Sequence, residues 1–264
     1  MTDLATVTPG DVDAALAACG VNGGDVLFLH GDAIVTAEFP PATPEERCDR
    51  LIEAILMRLG PAGTLVMPTF TYSFTCSEPF DVRHSPSAVG AISERFRNWP
   101  GVLRSCNPMF SVAALGRFAH VFATSRANEC FGRDTAFAKL HQLDARICCA
   151  GCSFDRATFV HYVEERAGVD YRFHKKFTGT VVQADGRRRQ AICRYFVRDL
   201  DRDTATDLSR LRARLLETGK LSVSSIGRVA VVAVGAHDFF ETATAMLKED
   251  PRALIREGTN RRAA

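Results

Sequence analysis

The sequence predicts a layered α/β fold with an antiparallel β-hairpin inserted late in the chain, and three observations lead there. Apolar runs of strand length alternate with longer stretches of helical period. The segment FTGTVVQADGRRRQAICRYF, residues 177–196, alternates around Asp185-Gly186 as a hairpin does. The 264 residues are 46% hydrophobic and 24% charged, a globular composition that excludes a disordered chain. No internal repeat, low-complexity tract or linker interrupts the pattern, so one domain over residues 1–264 is expected.

Residues 8–19 read as a first helix, with Thr8 as N-cap, Pro9 at the first helical position, and Asp11 and Asp13 in the first turn. Asn22-Gly23-Gly24 makes a turn into a short buried strand, VLFLH, ending at Gly31. Thr43-Pro44-Glu45-Glu46 opens a second helix with the same cap logic, and Leu51, Ile55, Leu56 and Leu59 form its apolar stripe. Pro61-Ala62-Gly63 ends it, and TLVMPTF is the next strand. Residues 71–87 have no period and two prolines, which predicts a long loop. Helices are expected over 89–99, 135–143, from about 157, over 203–218 and over 237–248. The strands between them are SVAALG, ICCAGCS and RVAVVAVG.

Charge and cysteine usage narrow the function. The 33 Lys+Arg against 31 Asp+Glu leave a net charge of +2, unlike the basic stripe of a nucleic-acid binder. No apolar run approaches the ~20 residues that cross a bilayer. MTDLATVTPGDVDAAL lacks a basic n-region and an apolar h-region, so a cytoplasmic protein is expected. Nine scattered cysteines do not form the framework of a small secreted fold, and they are expected to be core residues in a reducing compartment. Cys149 and Cys152 form a C-x-x-C within the apolar ARICCAGCSF, where cysteine acts as a small hydrophobe; a redox or metal role is the alternative. Zinc needs four ligands, and no second C-x-x-C or H-x3-5-H lies at finger spacing, so no metal is expected.

The chemistry concentrates in three segments. No dinucleotide, P-loop or nucleophile-elbow motif is present, nor the pyrophosphate loop of the GNAT acetyltransferases. In ATFVHYVEER, residues 157–166, His161 and Glu164 are spaced i, i+3 and share a helix face. A carboxylate beside an imidazole fixes its tautomer and supports the imidazolium, as a general base requires; an ordinary surface His–Glu pair has the same spacing. Glu165 and Asp170 make the neighbourhood acidic, which suits a cationic substrate or a solvated helix face. LFLHGD ends a buried strand in His30-Gly31-Asp32, and open α/β sheets bind ligands at strand carboxyl ends. Residues 84–116 combine serines, helix starts and Arg104, groups that can hold phosphates.

With LFLHGD, GTLVMPTFTYSF, SPSAVGAISERFRNWPGVLRSCNPMFSVAALG, FGRDTAFAKL and ATFVHYVEERAGVDYRFHKKF in this order, the sequence resembles the aminoglycoside 3-N-acetyltransferase family from roughly residue 9 to 255. The resemblance implies a non-GNAT α/β/α sandwich with a mixed sheet, using acetyl-CoA to acetylate an amine of an aminoglycoside or related amino sugar. It implies His161 as general base within Thr158-x-x-His161-x-x-Glu164. It places His30, Gly31, Asp32, Ser85, Ser87, Arg104, Ser105 and Ser111 around the cofactor. Tyr72, Asn107, Glu165 and Asp170 fall to the acceptor side. The implied partner is a small-molecule amine, and a homo-oligomer is compatible. Family members commonly carry His-Ser-Ser at His30-Gly31-Asp32 and a histidine at Asn107, departures that point to a different acceptor, such as a biosynthetic amine. The implied mechanism is direct transfer in a ternary complex, with backbone N–H groups near Gly31-Asp32 or Ser111 holding the oxyanion. The rivals are an acyl-enzyme on Cys106 or Cys152 and a catalytically idle CoA-binding protein.

Overall fold

Local signals set most element starts. The computed structural model describes residues 6–256. Helices α1 (Pro9–Ala18) and α2 (Pro44–Leu59) both begin on capping boxes: Thr8 with Asp11, and Thr43 with Glu46, each satisfy two otherwise unpaired backbone N–H groups. Strand β1 (Val26–Gly31) lies between them and β2 (Thr64–Pro68) comes after α2. Next come β3 (Phe80–Asp81), α3 (Ala91–Arg97), β4 (Leu103–Arg104), β5 (Val112–Gly116), α4 (Ala119–Ala123), α5 (Ala136–Gln142) and β6 (Arg146–Ala150). The chain ends with α6 (Val160–Ala167), β7 (Arg172–Val182), β8 (Arg188–Arg198), α7 (Ser209–Glu217), β9 (Leu221–Ile226), β10 (Val229–Gly235) and α8 (Ala236–Glu249).

Seven strands form a mixed sheet in the order β4-β5-β2-β1-β6-β10-β9. Its centre, β2-β1-β6, is parallel, and the outer pairings are antiparallel. Central strands buried on both faces read as continuous apolar runs, which is why VLFLH and ICCA show no alternation. Their side chains divide by parity. Leu27, Leu29, Met67, Cys148 and Ala150 join α1, α2 and α3 on one face. Phe28, Val66, Ile147, Cys149 and Val234 join α5, α6, α7 and α8 on the other. The result is the α/β/α sandwich with a mixed sheet that the resemblance implied, and the late hairpin β7–β8 stands outside it in a second sheet, β3-β7-β8.

Several elements differ from the sequence expectation. The 71–87 loop contains β3, which pairs in parallel with the end of β7. Two residues of strand carry no periodicity to read. β4 and α4 are missed for the same reason, being two and five residues long. β9 escapes because it is an edge strand, with Ser222 and Ser224 interleaved among its apolar residues. The helix expected from 203 begins at Ser209, since Thr206 is held in a bridge to Ile255 and Asp207 N–H bonds Leu254 O. The cysteines are not uniformly core: all nine are reduced, but Cys76 is exposed and Cys106 and Cys152 are half-buried. Among the described residues no helix is long and apolar enough to cross a membrane.

The capping box of α2 offers a direct test, since this helix covers the face of the sheet built on Leu27 and Met67. Thr43→Ala removes the side-chain acceptor for Glu46 N–H and should lower stability by about 1 kcal/mol, read as a shift in urea midpoint at unchanged m-value.

Candidate active site

A cleft of about 530 Å³ opens at the carboxyl ends of the parallel strands, within the range of small-molecule sites. β1 contributes His30 and Gly31, β2 is followed by Phe70 and Tyr72, and β6 is followed by Cys152. His161 and Thr158 enter from the start of α6. Gly31 permits a close approach to α3: a Cβ there would meet Ile92 Cδ1 at 3.2 Å. A larger depression of about 750 Å³ lies between the ends of α6 and α8, lined by Asp170, Arg202 and Lys248 among others. It contains no imidazole or thiol, whereas the first cleft contains His30, His161 and Cys152.

His161 is held from behind. Its Nδ1 bonds Glu164 Oε2 at 2.8 Å, and its ring edge meets Phe131 at 5.3 Å between centroids. Glu164 is fully buried, and its carboxylate is shared. Tyr171 Oη donates to Oε1 at 3.0 Å, and Arg172 Nε lies 2.7 Å from Oε2 in an ion pair, its N–H off the line of a hydrogen bond. Sequence reasoning found neither Tyr171 nor Arg172. They reach Glu164 because α6 ends at Gly168 in the left-handed region (φ 69°), where the chain reverses into β7. Burial, and then the Arg172 cation, pull the His161 pKa below its usual 6.5 against the supporting Glu164 bond. The ring is therefore neutral near pH 7. With the Nδ1 hydrogen directed at the carboxylate, the lone pair is on Nε2, which has no protein partner among the described residues.

His30 plays a different part. Its Nε2 is 2.8 Å from Thr158 Oγ1 and 3.4 Å from Thr158 N, so the imidazole ties the end of β1 to the approach to α6. Burial pulls its pKa down to about 3. Such a ring is a neutral acceptor at physiological pH and a brace for the His161 helix, not a second base.

The structure brings five of the expected site residues onto the cleft: His30, Gly31, Asp32, Tyr72 and His161. Glu164 stands behind them. The serines and Arg104 do not line it. Arg104 is buried with its guanidinium on the carbonyls of Thr69, Val82 and Ser85 and the hydroxyls of Thr69 and Ser111, so it braces loops instead of clamping phosphate. Ser105 and Ser111 are buried; their hydroxyls bond Val112 N and Thr69 O. Ser85 caps the backbone at Asp81, and Ser87 pairs with Glu94 and Val89 beside the cleft. Asn107 is a loop brace too, accepting from Met109 N and Phe110 N and donating to Glu129 O. Glu165, its pKa pushed up to about 7 by burial, lies among Arg194 and Glu129. Asp170 pairs with Arg202 at 3.2 Å in the other depression. The N–H of Asp32 is already donated to Ala150 O, and Ser111 is fully buried, so neither position supplies a free oxyanion donor.

In their place the cleft holds Arg156 and Asp155, which the sequence did not single out, and one of the helix starts expected within residues 84–116. Arg156 is exposed and makes no ion pair among the described residues, and Asp155 lies beside it. The first turn of α3 lines the cleft through Gly90 and Ala91, with no side-chain cap on its N–H groups. For Arg156 and Asp155 the only legible signal was their position between a strand and a helix. Among the described residues no group of three or more His, Cys, Asp or Glu is placed to hold a metal ion.

Residues 42–248 match the family described as aminoglycoside 3-N-acetyltransferase. The chain is 29% identical over 253 residues to aminoglycoside N(3)-acetyltransferase IV of Salmonella sp, covering 92% of this chain and 89% of the relative. It is 28% identical over 230 residues to aminoglycoside N(3)-acetyltransferase IX of Micromonospora chalcea, covering 78% and 77%. The crystal structure of the aminoglycoside acetyltransferase AAC(3)-IVa apoenzyme is similar at TM-score 0.78 and 26% identity, over 97% of this chain and 94% of that one. A histidine-to-alanine mutant of AAC(3)-IVa in complex with apramycin gives 0.77 at 25% identity, over 94% of this chain and 95% of that one.

The two imidazoles, His30 buried and His161 half-buried, carry a pH signature. Their folded pKa values lie below the 6.5 of the free side chain, so the unfolded chain binds more protons below that pH and stability falls as pH falls. For His30 the window runs from 6.5 down to about 3, at up to about 1.4 kcal/mol per pH unit. Urea unfolding of wild type and His30→Gln between pH 4 and 7 should show the variant's pH slope reduced by about one proton. Parallel slopes would mean that His30 is not a buried neutral ring.

Proposed function

The chain belongs to the aminoglycoside 3-N-acetyltransferase family, and from that premise we propose that His161 is the general base of its acetyl transfer. The reaction moves an acetyl group from acetyl-CoA to an amine of an aminoglycoside or related amino sugar. One observation carries the assignment of the base: a neutral imidazole, fixed through Nδ1 by the buried Glu164, turns an unoccupied Nε2 to the cleft.

The residues present suit both substrates. Arg156, without a carboxylate partner among the described residues, and the uncapped amides at the start of α3 fit the phosphates of acetyl-CoA. Asp32 and Asp155 fit a protonated amine elsewhere on the acceptor. The thioester supplies the acetyl carbon. His161 Nε2 takes the proton of the attacking amine as the N–C bond forms and the C–S bond breaks, and passes it to the departing thiolate. Glu164 stabilises the transient imidazolium, while Arg172 and Tyr171 keep the carboxylate in place. The lowered pKa of His161 keeps the base deprotonated between turnovers.

His161→Ala should lower kcat by ~10²–10⁴-fold while leaving acetyl-CoA binding intact, measured by thiol release with a panel of aminoglycoside and other amine acceptors. The acid limb of the wild-type kcat/KM profile should lie below pH 6.5, and in Glu164→Gln it should move lower still, because the group that supports the imidazolium is gone. Full turnover in His161→Ala would remove His161 as base. Donor binding without turnover on any amine would remove the transferase reading.

A further inference from the structure

The C-x-x-C segment is not absorbed by the acetyl-transfer chemistry, and its two thiols occupy different environments. Cys149 is the penultimate residue of β6 and is 1% exposed in the layer facing α5–α8. Cys152, beyond the end of the strand, is half-buried and lines the cleft, with Sγ donating to His30 O at 3.4 Å. We propose that Cys152 is a thiol-modification site inside the acyl-transfer cleft, taken by low-molecular-weight disulfides and resolved by Cys149 into a Cys149–Cys152 disulfide.

The arrangement separates an attacking thiol from a resolving one. Cys149, three residues back along the chain, favours the Cys152 thiolate and lowers its pKa, while Cys152 and burial raise that of Cys149. Arg156 favours the Cys152 thiolate, while burial and Asp32 oppose it. The nucleophile is thus the thiol that solvent and cleft ligands can reach. None of the other cysteines combines these features. Cys130 and Cys193 are 3.6 Å apart but sealed in the core. Cys76 is exposed without a cysteine partner among its hydrogen bonds, and burial raises the Cys106 thiol. Cys19, Cys48 and Cys148 are buried.

The exchange balances without a further oxidant. The Cys152 thiolate attacks one sulfur of a disulfide RSSR, forming Cys152–S–SR and releasing RS⁻. The Cys149 thiolate then attacks the Cys152 sulfur and releases the second RS⁻, so one disulfide is reduced to two thiols as the protein pair is oxidised. A mixed disulfide on Cys152 would occupy part of the cleft that His30 and Thr158 also line. The consequence for acetyl transfer rests on the function proposed above; the modification itself does not.

The test treats the whole protein with glutathione disulfide in one arm and CoA disulfide in the other, with differential alkylation and peptide mass mapping as the readout. The expected product is a Cys149–Cys152 disulfide, two hydrogens lighter, with two thiols released per disulfide consumed. Cys149→Ala should stop at the mixed disulfide on Cys152, and Cys152→Ala should leave Cys149 unmodified. Faster reaction of CoA disulfide than glutathione disulfide at Cys152, but not at Cys76, would identify CoA as the preferred source. Transferase activity should fall in proportion to the oxidised fraction and return with dithiothreitol. Labelling of Cys76 with Cys152 untouched, or a lasting mixed disulfide in the wild type with Cys149 free, would overturn the assignment. Disulfide formation in a protein whose reduced form acetylates no amine would instead leave this site standing and remove the transferase reading.

Discussion

The buried carboxylate of Glu164 is the constraint on which the site depends. An ion taken fully out of water is costly unless its partners replace the lost hydration. Here His161, Tyr171 and Arg172 do so together. They come from the two sides of the reversal at Gly168: His161 from the first turn of α6, and Tyr171 and Arg172 from the entry to β7. One carboxylate therefore joins the helix that enters the cleft to the hairpin sheet outside the sandwich. Deleting any partner would leave buried charge or an unmatched acceptor, so the orientation of His161 and the docking of the hairpin are energetically linked.

The sheet supplies the other half of the geometry. Parallel β2, β1 and β6 end together, and the segments leaving their carboxyl ends turn toward a common opening. His30 closes the circuit by accepting from Thr158, three residues before His161. The two imidazoles thus have distinct tasks set by their surroundings. His30, without a carboxylate beside it, is a neutral brace; His161, with Glu164 behind it, can carry a proton briefly. The same cleft exposes the Cys152 thiol a short way from His30, which ties the oxidation state of β6 to the space available for substrates.

The helix–strand order, both capping boxes, the late hairpin and the His161–Glu164 pair were legible because each rests on contacts within a few residues. The sequence was ambiguous where a polar residue in a loop had two uses. Arg104, Ser105, Ser111 and Asn107 look suited to a ligand, since their groups donate and accept in the right chemistry. In the fold they satisfy buried carbonyls and amides of the loops after β2 and β4, a demand any compact loop makes. Nothing in local spacing distinguishes the two. Asp170 fails for a related reason: it is near His161 in sequence, but the reversal at Gly168 carries it to the opposite end of α6, beside Arg202.

By itself the sequence determined the fold class, the family resemblance and the His161–Glu164 pair, because hydrophobic period, caps and an i, i+3 spacing are short-range properties. The tertiary structure decided which polar groups face the cleft and which brace the loops. It brought Tyr171 and Arg172 to Glu164, made His30 a structural acceptor and opened Cys152 to the cleft while burying Cys149. Those outcomes depend on burial, on the chain reversal at Gly168 and, for His30 and Thr158, on contact between residues far apart in the chain. Desolvation, which sets the protonation of each group, exists only once the chain has packed.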